Sequence, residues 1–100
     1  MTDGTRALDG EASFAGTVTG RVQGVGFRAF VAGIAESLGL SGWVRNLPDG
    51  QVELAARGAK MQLIALSLAL KKGPPGAHVG AVDLDWSRGP GDGRGFQIRG

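Results

Sequence analysis

Neither cysteine nor tyrosine occurs anywhere in the chain, and histidine occurs once, as His78. Without cysteine there is no disulfide framework, no thiolate nucleophile and no thiolate metal site. With one histidine and no Asp/Glu/His cluster at ligand spacing, no metal and no cofactor is expected. Long apolar runs are also missing. The longest, Met61 to Leu70, is too short to span a bilayer and is closed by Lys71 and Lys72. The start of the chain, Met1 to Ser13, carries Asp3, Asp9 and Glu11 and has no apolar centre, so it does not read as a secretory signal. A cytoplasmic protein with no membrane partner is the expectation, with residues 1–13 as a disordered tail and residues 14–100 as one domain. One hundred residues suffice for a single core two layers thick.

The high pI of about 9.7 reflects less positive charge than it suggests. Formal net charge is only +2. The pI is high because arginine is plentiful while tyrosine and cysteine, which would titrate in the alkaline range, are absent. Arg6, Arg21, Arg28, Arg45, Arg57, Arg88, Arg94 and Arg99 are scattered, without aromatic residues interleaved as a base-stacking surface would need. No nucleic-acid partner is expected.

What the chain has in quantity is glycine, and its placement is informative at Gly20-Arg21-Val22-Gln23-Gly24-Val25-Gly26-Phe27-Arg28. Before it, Phe14, Val18 and Val22 alternate with Thr17, Thr19 and Arg21 as on a half-buried strand. After it, Phe27, Phe30, Val31, Ile34, Ala35 and Leu38 recur at helical spacing and Gly39 supplies a stop. A glycine-rich strand-to-helix junction exposes backbone N–H groups beside the positive end of a helix dipole, an arrangement suited to phosphate. A Walker loop is disfavoured because Gly-Phe-Arg stands where Gly-Lys-Ser/Thr is needed. A dinucleotide fingerprint lacks its third glycine, with Ala29 in that place. Gly26 to Val31 faintly echoes an RNA-recognition signature, but on a helix rather than a central strand.

Further along, Leu40 to Leu47 and Gln51 to Arg57 flank the turn signal Pro48-Asp49-Gly50 and predict an antiparallel hairpin with Val52, Leu54 and Ala56 on one face. A second helix is predicted over Ala59 to Lys72. Its apolar residues Met61, Leu63, Ile64, Leu66, Leu68 and Leu70 make a stripe wider than one sheet face requires, which fits either a thickly packed core helix or an exposed strip for self-association. A monomer is expected, with weak dimerisation through that helix as the alternative. Ala77 to Trp86, with Val82, Leu84 and Trp86 inward, and Phe96 to Arg99 are the last strands, joined by the glycine-rich Gly89 to Gly95. Trp43 and Phe27 are expected in the core. The order predicts an α+β, split βαβ arrangement with two helices on one sheet face.

The glycine-rich block, followed by Gly42-Trp43-Val44-Arg45-Asn46-Leu47-Pro48-Asp49-Gly50-Gln51-Val52-Glu53, resembles the two signature blocks of the acylphosphatase family. The resemblance runs from Phe14 to Arg99 and includes Leu38-Gly39-Leu40, Gly73-Pro74-Pro75 and the ending Phe96-Gln97-Ile98-Arg99. It implies a ferredoxin-like fold, a small acyl phosphate as substrate, and a metal-independent hydrolase. It further implies that Arg28 binds phosphate and that Asn46 positions the attacking water. The backbone N–H groups of Gln23, Gly24, Val25, Gly26, Phe27 and Arg28 would complete the phosphate site. Asp49 and Glu53 are expected to be solvated and His78 to take no part. Two other classes share the resemblance or the fold: a nucleic-acid module on the same fold, and the opening domain of a larger carbamoyl-transfer maturation protein. A free-standing enzyme is the expectation.

Overall fold

The computed structural model describes residues 10–100. The chain order is β1 (Glu11–Arg21), α1 (Phe27–Ser37), β2 (Ser41–Asn46), β3 (Val52–Ala59), α2 (Lys60–Lys72), β4 (His78–Asp85) and β5 (Phe96–Arg99). The strands form one sheet in the order β4-β1-β3-β2-β5, antiparallel throughout except for β5, which runs parallel to β2. This is the ferredoxin-like α+β arrangement with one extra edge strand.

Alternation of side chains decides which face is buried. Phe14 lies opposite Ala56, Val18 opposite Val52, and Leu54 opposite both Gly16 and Val44, so the apolar residues of three central strands share one face. Onto that face α1 brings Phe27, Val31 and Ala35, and α2 brings Leu63, Leu66 and Leu70. α1 lies over β2 and β5, α2 over β1, β3 and β4, and the helices touch one another. Phe96 anchors the edge strand in the same core.

Four expectations change on this structure. First, β1 starts at Glu11, so residues 11–13 belong to the sheet rather than to a tail. β3 runs on to Ala59 and supplies partners for Glu11, Ala12 and Ser13, while Ala12 packs against the core. Residues 1–9 of the expected tail lie outside the described residues. Second, Trp43 is not in the core: Val44 takes the inward position, and Trp43 points to the opposite face, where the guanidinium carbons of Arg99 and Arg45 lie 4.9 and 5.4 Å from its ring centre. That is cation–π distance. Third, Trp86 falls in the turn after β4 and stays 41% exposed, meeting Phe14 edge-on at 5.0 Å between ring centres. Fourth, α2 is apolar on two sides but buries one. Met61, Ile64 and Leu68 recur on its outer side and remain exposed. The lysines that close α2 suit the negative end of its dipole.

Candidate active site

β1 delivers the chain to the junction loop through an irregularity. Its pairing with β4 shifts register between Thr19 and Gly20, a bulge placed immediately before the loop. The loop then turns at Gly24 and Gly26, both at φ 77°, with α1 starting directly after Gly26. A side chain added at either glycine would meet nothing within 4 Å, so it is the left-handed backbone and not crowding that calls for glycine. The first helical bond is from Phe30 N–H to the Gly26 carbonyl, 3.0 Å. The N–H groups of Gly24 to Ala29 donate to no partner among the described residues, and no side chain caps the helix. Six consecutive N–H groups at the positive end of α1 are therefore left without an acceptor.

Arg28 sits in the first turn of α1, where the dipole disfavours a cation and no acidic residue offsets it. Its Nη1 donates to the Arg99 carbonyl at 2.9 Å, which ties the start of α1 to the end of β5. Among the described residues the only ion pair is Arg45 with Glu53, at 2.6 Å, so Arg28 has no carboxylate partner. A half-buried cation beside six free N–H donors is an uncompensated positive site. An anion would satisfy both.

Asn46 ends β2 and faces the same cleft. The cleft holds about 230 Å³ and is lined by Val22, Gly24, Gly26, Phe27, Arg28, Ala29, Asn46 and Ile98. The Asn46 Oδ1 is buried and has no hydrogen-bond partner. A buried acceptor without a donor is costly unless a bound water or ligand supplies one.

Of the residues proposed from sequence, Gly24, Gly26, Phe27, Arg28 and Asn46 line the cleft together, with the Phe27 ring itself buried beneath it at 2% exposure. Gln23 and Val25 do not line it. Val25 packs against the core. The Gln23 side chain reaches across to the hairpin, where its Nε2 donates to the carbonyls of Leu47 at 2.8 Å and Gln51 at 2.9 Å. Both its amide hydrogens are thereby used, and the junction loop is fastened to the hairpin that carries Asn46. Sequence reasoning had placed Gln23 only among backbone donors. It also missed Ile98, although Phe96 facing the core fixes Ile98, two residues on, to the same side.

The acidic residues near the hairpin are spoken for. Glu53 is paired with Arg45, and Asp49 accepts from the Gln51 N–H at 3.0 Å and from the Gln51 side chain at 2.7 Å. Those bonds, the backbone one foremost, hold the Asp49 carboxyl below its ordinary value. His78 is exposed on β4. Among the described residues no three His, Asp or Glu side chains come close enough to hold a metal ion, and no helix is long and apolar enough to cross a membrane.

Fold and cleft together define a ferredoxin-like domain with a cleft of unpartnered donors at its first strand-to-helix junction. The family model for acylphosphatases matches residues 14–98. The chain is 49% identical over 81 residues to an acylphosphatase of Acaryochloris marina, covering 81% of this chain and 86% of that one. Its structure is similar to that of an acylphosphatase from Coxiella burnetii, with a TM-score of 0.84 and 42% identity over 89% of this chain and 93% of the other. It is also similar to the acylphosphatase of Bacillus subtilis, with a TM-score of 0.83 and 39% identity over 87% and 97%. The chain belongs to the acylphosphatase family. It is an enzyme of that family, a hydrolase of acyl phosphates.

Proposed function

We propose that Arg28 and the Gly24 to Ala29 N–H groups hold the phosphoryl oxygens while Asn46 aligns the water that attacks phosphorus. The observation that carries this reading is the orphaned Asn46 Oδ1 in the cleft that Gly24, Gly26, Phe27, Arg28 and Ala29 also line, where Arg28 has no carboxylate partner and the loop N–H groups donate to no backbone acceptor. The water's O–H donates to Asn46 Oδ1, which fixes its position but is too weak a base to take its proton. As the water oxygen bonds to phosphorus, the bond from phosphorus to the acyl oxygen breaks and the carboxylate leaves with that electron pair. The water's proton passes to a phosphate oxygen, giving inorganic phosphate. No acid is needed at the leaving group, because a carboxylic acid has a pKa of about 4 to 5, close to that of Asp and Glu side chains. Charge gathers on the equatorial phosphoryl oxygens in the transition state, and the cradle meets it there.

The test is a pair of variants assayed for phosphate release from an acyl phosphate. Arg28→Ala should raise KM and lower kcat, with kcat/KM down about 10²-fold to 10³-fold, the range for losing a donor to developing charge. Asn46→Ala should lower kcat with little change in KM, since the aligned water is lost and the phosphate contacts are kept. A folded Asn46→Ala enzyme with wild-type kcat would remove the water-positioning role.

A further inference from the structure

On β5, Phe96 and Ile98 both point toward the helix layer, yet they end differently. Phe96 is 7% exposed within the core, while Ile98 remains 50% exposed. The strand residue beside it, Val44 of β2, is fully buried. Ile98 is uncovered because α1 begins at Phe27 and the space over the end of β5 is the cleft itself. Among the described residues the other exposed large apolar side chains are Met61, Ile64 and Leu68 on α2 and Trp86 after β4, none of which lines this cleft. Ala29, also exposed, is the second apolar residue at its open side. The polar groups of the cleft belong to the loop, Arg28 and Asn46, so one boundary of the cavity is apolar and without a partner.

We propose that Ile98, with Ala29, seats the hydrocarbon part of the acyl group and makes Ile98 a specificity residue for apolar acyl phosphates. This inference rests on the phosphate site proposed above. With the phosphoryl group in the cradle, the acyl group is the part of the substrate left to meet the rim. A benzoyl or alkyl chain would cover Ile98 and lose water-exposed area with it, whereas an acetyl group is too short and a carbamoyl group would bring polar N–H groups against an apolar side chain.

The experiment compares Ile98→Thr with Ile98→Val, which have nearly the same shape and differ in polarity, using benzoyl phosphate and acetyl phosphate. In Ile98→Thr the ratio of kcat/KM for benzoyl over acetyl phosphate should fall about fivefold, through KM, while Ile98→Val keeps most of it. An unchanged ratio in Ile98→Thr, or an equal loss in both variants, would overturn the proposal. A second measurement needs no variant: on the wild-type enzyme, kcat/KM should rise along acetyl, propionyl and butyryl phosphates by up to about fourfold per methylene. A flat series would also overturn it. Failure of the phosphate site itself is read separately, from inhibition by inorganic phosphate, which should be unchanged in both Ile98 variants and lost in Arg28→Ala.

Discussion

Replacing Gln23 by alanine tests whether the cradle and the water site must be held in register. The Gln23 amide bridges the junction loop to the β2–β3 hairpin through two bonds of 2.8 and 2.9 Å. Each is worth about 0.5 to 1.5 kcal/mol. Neither carbonyl is orphaned by the change: Leu47 O keeps the Gly50 N–H at 3.2 Å and Gln51 O keeps the Leu47 N–H at 2.8 Å. The loss therefore belongs near the lower end, about 1 kcal/mol, or about 4 to 8 °C in Tm for a domain of this size. The catalytic effect should be larger than the effect on stability. If the loop drifts by about 1 Å from Asn46, the bound phosphoryl group and the aligned water separate, and misplacement on that scale costs up to about 10²-fold. Steady-state kinetics with a thermal melt on the same preparation read both quantities. Gln23→Glu should be worse than Gln23→Ala, because a carboxylate cannot donate to the two carbonyls and sets a negative charge beside the anion site. A Gln23→Ala enzyme that melts several degrees lower but keeps wild-type kcat would refute the positioning argument and leave Gln23 a purely structural tie.

Inorganic phosphate or vanadate should raise Tm by binding only the folded state, and Arg28→Ala should lose most of that shift; an unchanged melt across millimolar phosphate would count against the cradle. Activity should survive EDTA, since the described residues offer no cluster of metal donors; inactivation that added metal reverses would contradict this. Acyl phosphates should be hydrolysed far faster than alkyl phosphate monoesters, as no side chain in the cleft can protonate an alkoxide; similar rates on both would mean that a proton donor operates there. Asp49 and Asp85 both lie below the ordinary value of 3.8, Asp49 chiefly through the Gln51 N–H and Asp85 chiefly through the Ser87 hydroxyl. A depressed carboxyl contributes stability that is fully present above its unfolded pKa and is lost as pH falls through the folded one. Their contribution should thus be constant from pH 5 upward and decline only below about pH 4. Asp49→Asn should flatten that acid limb in a plot of Tm against pH.

Much of this was legible locally. The alternation of Phe14, Val18 and Val22, the helical recurrence of Phe27, Val31 and Ala35, and the Pro48-Asp49-Gly50 turn each specify an element through neighbours close in sequence. The glycine-rich junction marked a strand-to-helix turn, and Gly24 and Gly26 both take a positive φ there. Residues 11–13 were not readable as strand, because Ala12 and Ser13 are small and their reason for pairing is the continuation of β3 to Ala59. Trp43 misled for a related cause: Trp43 and Val44 are both apolar and adjacent, and only the sheet decides which of two alternating neighbours faces the helices.

The sequence alone determined the elements, the turn chemistry of the junction loop, and the presence of one arginine and one asparagine in the two signature blocks. Periodicity and backbone preference are local, so they can be read from a single chain. Tertiary structure alone decided that Arg28 and Asn46 share a cleft, that Gln23 spends its side chain on the hairpin, that Ile98 stands half-covered at the rim, and that α2 turns Met61, Ile64 and Leu68 outward. Each of those depends on strand order and register, which bring residues far apart in sequence to one place, and on how far each helix extends over the sheet, which sets what is left open to solvent.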